Sequence, residues 1–114
     1  MTLASEPVTV PSGIEVNFYD MIWDAPGDGL TYRFRFLAPK IADPDTDYMS
    51  VASDMEALCN DYAIPRLAGT GPQPNRIVVT LMAEPVDFGV MNPDVTQFFE
   101  SYSVENGLCI WEAF

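Results

Sequence analysis

Two hydrophobic periods divide this chain. Along residues 14–23, Ile14, Val16 and Phe18 fall on one side of an extended backbone, with Glu15, Asn17 and Tyr19 on the other. Further on, Leu30, Tyr32, Phe34 and Phe36 alternate with Thr31, Arg33 and Arg35. A period of two gives each strand one face toward a core and one toward water. The run Asp24-Ala25-Pro26-Gly27-Asp28-Gly29 between them is dense in turn residues, so the pair predicts a hairpin with a longer loop. After a polar connection over 39–47 the period changes. Tyr48, Val51, Ala52, Met55, Leu58, Cys59 and Tyr62 recur at i, i+3, i+4 and i+7, the stripe of an amphipathic helix ending near Tyr62. Asp47 caps an early start, or Ser53 with Glu56 forms a capping box on a later one. Pro65 is expected to stop the helix, since it lacks the N–H donor.

Residues 77–82 are nearly all apolar and β-branched, which predicts a central strand covered on both faces. The stretch 85–93 is irregular, with Asn92 and Pro93 placed to open a single helical turn. Residues 98–104 and 108–114 flank Glu105-Asn106-Gly107, and Asn-Gly between apolar runs predicts a tight hairpin whose type I′ turn needs positive φ twice. The order is ββαβββ. The expected fold is α+β, an antiparallel sheet of four to five strands with one helix packed on a face. Residues 1–13, rich in Pro, Ser and Gly, form an extended lead-in where Val8 and Val10 begin to pair with the sheet, and 14–114 form one domain.

Composition narrows the function classes. A chain of 114 residues, 48% apolar, builds one core. Seventeen acids face five cations, giving a net charge of −12. Such a surface repels nucleic-acid phosphates and anionic lipid heads and leaves cationic partners, metal ions and neutral ligands. No apolar run is long enough to insert across a membrane. The chain has no histidine. That removes the Ser-His and Cys-His nucleophile systems and imidazole metal ligation. Its two cysteines, Cys59 and Cys109, are too far apart for a CxxC motif and suit one structural disulfide between the helix stripe and the last strand. Such a bridge stabilises by roughly 3–4 kcal/mol in the loop-entropy model. It also implies an oxidising compartment, periplasmic or extracellular; free cysteines would instead point to the cytoplasm. The first residues show neither a basic n-region nor an apolar h-region, although Leu3-Ala4-Ser5 fits the end of a cleaved leader.

Other chemistry is thinner. Asp43, Asp45 and Asp47 have D-x-D-x-D spacing, and Asp54 falls twelfth, where a calcium loop places its closing carboxylate. Tyr48 stands where that loop needs glycine, and an acidic loop that caps the helix is the competing reading. Arg33 and Arg35 share the wet face of one strand and could hold an anionic ligand, against cross-strand pairing with Glu15 or other acids. Phe88, Val90 and Met91 would make a protein-binding patch if exposed, or a satellite cluster over one end of the core. Gly69-Thr70-Gly71-Pro72-Gln73-Pro74 is a loop without the Lys-Ser/Thr of a phosphate cradle. Paired carboxylates could support hydrolysis, but seventeen acids guarantee chance pairs.

The segments Met55-Glu56-Ala57-Leu58-Cys59, Asp61-Tyr62-Ala63, Pro65-Arg66-Leu67-Ala68-Gly69-Thr70-Gly71-Pro72, Pro85-Val86-Asp87-Phe88-Gly89, Thr96-Gln97-Phe98-Phe99-Glu100 and Asn106-Gly107-Leu108-Cys109-Ile110-Trp111-Glu112 resemble a small alphaproteobacterial family of unknown function. The likeness covers roughly residues 8–114. Family members look like precursors with signal peptides, so the resemblance implies export. It carries both cysteine positions and supplies no activity, cofactor or catalytic residue. The expectation is therefore an exported, non-enzymatic module that binds a protein or small ligand, with a calcium-binding module and a carboxylate-dependent hydrolase as alternatives.

Overall fold

Strand patterning over most of the chain resolves into a single sheet. The structure, a computed structural model, describes residues 6–24, 30–67, 76–87 and 92–112. Among them β1 (Glu6–Val8), β2 (Val16–Asp24), β3 (Thr31–Leu37), β4 (Arg76–Met82), β5 (Gln97–Glu105) and β6 (Leu108–Glu112) lie side by side in chain order. A 3-10 turn at Pro39–Ala42, helix α1 (Tyr48–Leu58), a π turn at Cys59–Ala63 and the short α2 (Ile64–Leu67) connect β3 to β4. The fold class is α+β, with one helical arm on a curled sheet.

The expected sheet of four to five antiparallel strands is corrected on two counts: it has six strands, and it is mixed. β3 and β4 run parallel, with Tyr32 beside Ile77, Phe34 beside Val79 and Phe36 beside Leu81. A single helical crossing between neighbouring strands returns the chain to its starting end, so the next strand must run the same way. The added strand is β1, paired antiparallel to β2. Three residues are too short to show a period, and Pro7 is tolerated because β1 is an edge.

β4 is central, as its apolar run predicts. Ile77, Val79 and Leu81 are buried under the helical arm, while Thr80 and Met82 are buried on the opposite face. Tyr62, from the π turn, packs against Phe18, Phe34 and Phe36 with ring centroids 5.2, 6.3 and 5.4 Å away. Asp47 caps α1, accepting the Met49 N–H at 3.2 Å, which settles the early start. Pro65 does not end the helical arm. A proline ring crowds the carbonyl four residues back. Here the preceding turn is widened, with the Ile64 N–H donating to the Cys59 carbonyl five residues back, and Pro65 enters after it. The tight hairpin is present, with positive φ at both Asn106 (53°) and Gly107 (78°). The turn residues 25–29, the Gly-Pro loop 69–74 and Phe88, Val90 and Met91 lie outside the described residues.

The lead-in belongs to the packed structure. Val10 is buried in the core, and Gly13, at φ 83°, turns the chain so that its N–H reaches the Val10 carbonyl. Asp54 then ties this turn to α1. Its carboxylate, 1% exposed, accepts the Ser12 N–H at 2.9 Å and the Ser12 hydroxyl at 2.5 Å. Replacing Asp54 with Ala is expected to lower the unfolding free energy by about 1.5–3 kcal/mol, the range for hydrogen bonds to a charged acceptor. Urea denaturation measures the loss, and an unchanged midpoint would show that the tie carries no stability.

Candidate functional site

The two cysteines meet. Cys59 opens the π turn, Cys109 is the second residue of β6, and they form a disulfide with Cα atoms 6.2 Å apart. Both are buried. Asn60, the next residue of the π turn, adds a second tie: its Oδ1 accepts the Cys109 N–H at 2.9 Å, while its Nδ2 donates to the Glu56 carbonyl. β6 ends the sheet, so the donor that Asn60 satisfies is one no neighbouring strand reaches. This is a structural bridge; both sulfurs are consumed in it.

Arg33 and Arg35 lie on the sheet face away from the helical arm. A bulge at Tyr19 decides what Arg35 does. Phe18 pairs with Phe36, but the next register pair is Asp20 with Arg35, so Tyr19 is the extra residue. Without the bulge Asp20 would share the face of Phe18; with it, Asp20 swings to the face of Arg35. The Asp20 carboxylate accepts from Nε at 2.7 Å and Nη2 at 2.6 Å, and the Val86 carbonyl accepts from Nη1 at 2.6 Å. Tyr19 lies 5.3 Å from the guanidinium. Arg35 is 7% exposed, and the Asp20 hydrogen bonds hold its pKa above the ordinary arginine value against the opposing effect of burial. It is a cross-strand tie, with Asp20 in the place where Glu15 was the named candidate. Arg33 stands one row along, half-buried, between Ile22 and Val78.

The four acids of the suspected calcium loop do come together along one cleft of about 240 Å³, with Ser12, Lys40, Thr46 and Ser50. Three of the four carboxylates, those of Asp43, Asp47 and Asp54, are engaged locally. Asp43 accepts the Asp45 N–H at 2.9 Å, and that bond, helped by Lys40 at 3.5 Å, holds its pKa below the usual carboxylate value. Asp47 caps α1 and accepts from the Ser50 hydroxyl at 3.1 Å. Asp54 is occupied by Ser12. Among the described residues no three acids or cysteines converge as metal ligands. Millimolar calcium is expected to leave the melting temperature unchanged, because a ligand stabilises a fold only by binding it. A rise of several degrees would show that the ion gathers these carboxylates.

Pattern reading did not find the most unusual carboxylate. Glu100 on β5 is 7% exposed, on the same face as Phe98 and Tyr102. Its Oε1 accepts the Trp111 indole N–H at 2.5 Å, and its Oε2 accepts the Tyr48 hydroxyl. Tyr48 also meets Phe98 edge to face, centroids 5.6 Å apart. The signal was available: an acid between apolar residues at period two faces a core, and a buried carboxylate needs donors. Among the described residues five of the eight large exposed apolar side chains lie nearby, the others being Tyr19, Met21 and Met49. Phe99, Leu108, Ile110 and Trp111 are on β5 and β6, and Tyr48 is bonded to β5.

Tyr102, two residues beyond Glu100, has its pKa pushed well above the ordinary tyrosine value, first by burial and then by Glu100 and Glu56. The folded state therefore keeps this proton at pH values where the unfolded chain loses it. Stability is full below the unfolded tyrosine range and falls as pH rises past about 10. In Tyr102→Phe the alkaline slope is expected to shrink by up to about 1.4 kcal/mol per pH unit. Denaturant titrations between neutral and alkaline pH test this, and equal slopes in both proteins would contradict it.

A family described as a family of unknown function (DUF6497) matches residues 1–114, and the chain belongs to it. No curated protein matches the chain, and no solved structure does. Among the described residues no helix is long and apolar enough to cross a membrane.

Proposed function

We propose that this member of the family is an exported, non-enzymatic binding domain that engages a protein partner through the exposed apolar surface of β5 and β6. The observation that carries the reading is the exposure of Phe99, Leu108 and Ile110 on one face of β5 and β6, with Trp111 exposed on the other face of the same edge, on a chain otherwise rich in surface acids. Contiguous exposed apolar groups on a soluble domain mark interaction surfaces. Aromatic residues are enriched at such surfaces. Export is supported by the buried disulfide, since bridges of this kind persist in oxidising compartments. The non-enzymatic part rests on how the carboxylates are used. The buried pair among the described residues, Asp54 and Glu100, is committed to Ser12 and to Tyr48 with Trp111.

The test pairs location with binding. In the native host, the chain is expected in the extracytoplasmic fraction, and a cytosolic pool would contradict export. Crosslinking in that host is expected to give a defined adduct with the natural sequence and to lose it in Ile110→Asp. That side chain is exposed, so its replacement leaves the melting temperature close to normal. An adduct undiminished in Ile110→Asp, with the fold intact, would place the contact elsewhere.

A further inference from the structure

Tyr48 and Trp111 donate to the two oxygens of one carboxylate, so their rings flank it. Glu100 is nearly closed to solvent, yet Tyr48 is 46% and Trp111 56% exposed. A carboxylate thus sits between two partly exposed aromatic side chains. A phenol O–H and an indole N–H donating to a carboxylate are polarised by it, which makes their ring faces more negative. Such faces attract cations, Trp most strongly.

Three of the chain's five cations are engaged elsewhere. Arg35 is held by Asp20, Lys40 lies by Asp43, and Arg66 stacks on Tyr62, 3.4 Å from the ring centroid. Among the described residues no cation pairs with Glu100 or stacks on Tyr48 or Trp111. Arg66 on Tyr62 and Arg35 beside Tyr19 show the contact type that this chain favours where a guanidinium is at hand. The net charge of −12 adds a general attraction for basic partners.

We propose that Tyr48 and Trp111, held over the buried Glu100 carboxylate, receive an arginine side chain from a basic segment of a protein partner. The planar guanidinium stacks on aromatic faces and sheds its hydration more readily than an ammonium, so it suits two partly exposed rings better than lysine does. This deepens the binding-domain reading and rests on it. It names the chemistry of the partner at one point of the surface, on the helix side of β5 and β6, while Leu108 and Ile110 face the other side.

The probe is a capped Gly-Arg-Gly-Arg-Gly peptide, with the same peptide carrying neutral citrulline in place of arginine as control. The readout is the Trp111 indole N–H signal in ¹⁵N-labelled protein, with the Trp23 indole as internal reference. The arginine peptide is expected to shift the Trp111 signal saturably and the citrulline peptide not to shift it. Glu100→Gln is expected to weaken the affinity about two- to fivefold, the size of an exposed cation–π contact. Trp111→Leu is expected to remove it, as followed on the Tyr48 ring signals, with a melting temperature somewhat lowered because the substitution also takes a donor from Glu100. Equal affinity of Glu100→Gln and the natural protein would overturn the site, because the buried carboxylate would then contribute nothing to the attraction. So would a matching shift with citrulline, or no shift at all. A crosslinked partner lost in Ile110→Asp, together with a silent Trp111 signal, would leave the binding-domain reading standing and refute the arginine site.

Discussion

The attachment of the π turn to the last strand governs this structure. Two consecutive residues, Cys59 and Asn60, hold one residue of β6: the first through sulfur, the second through the Cys109 N–H. Consecutive residues of a helix point in different directions, about 100° apart at 3.6 residues per turn. Here both reach the same strand residue at the point where the helix widens. The same widening admits Pro65, so the arm continues to Leu67 and carries Tyr62 onto Phe18, Phe34 and Phe36. One local departure from α-helical geometry thus serves the bridge, the aromatic core and the capping of an open sheet edge.

The edges show how a small mixed sheet stays discrete. At one end β1 is three residues long and contains Pro7, which cannot donate to a new strand. At the other, Asn60 occupies a β6 donor and the disulfide draws the helical arm toward that edge. Apolar side chains nevertheless remain exposed on β6, and the acidic surface disfavours pairing between copies of the chain. On the proposed reading, a surface that is apolar at one edge and negative overall would suit basic partners with an apolar component. The Tyr48–Glu100–Trp111 group is the clearest local expression of both properties.

Much of this was legible in the residues, for definable reasons. Period-two alternation located β2 and β3, the unbroken apolar run located a central β4, and Asn106-Gly107 specified its hairpin, because each signal is local. Both cysteines lay on inward-facing positions, so their meeting could be anticipated. The parallel pairing of β3 with β4 depends on where the crossing helix delivers the chain, which is not a local property. Pro65 misled because its penalty was weighed for a regular helix rather than for one with a π turn. The bulge at Tyr19 inverted the facing of Asp20, hiding the partner of Arg35. The acids at 43, 45, 47 and 54 had suggestive spacing, but backbone N–H groups and the Ser12 and Ser50 hydroxyls take up the carboxylates of Asp43, Asp47 and Asp54. Glu100 is harder to read because one of its donors, Tyr48, comes from a helix 52 residues away, while the other, Trp111, lies on the adjoining hairpin strand.

The covalent tie between the helical arm and β6 supports the account of both the architecture and the cellular location, and a thiol count tests it most directly. Protein purified aerobically from its native compartment, denatured without reductant and treated with Ellman's reagent, is predicted to show no free thiol. Release of two thiols per chain, one for each cysteine, would contradict the bridge and remove the physical argument for export.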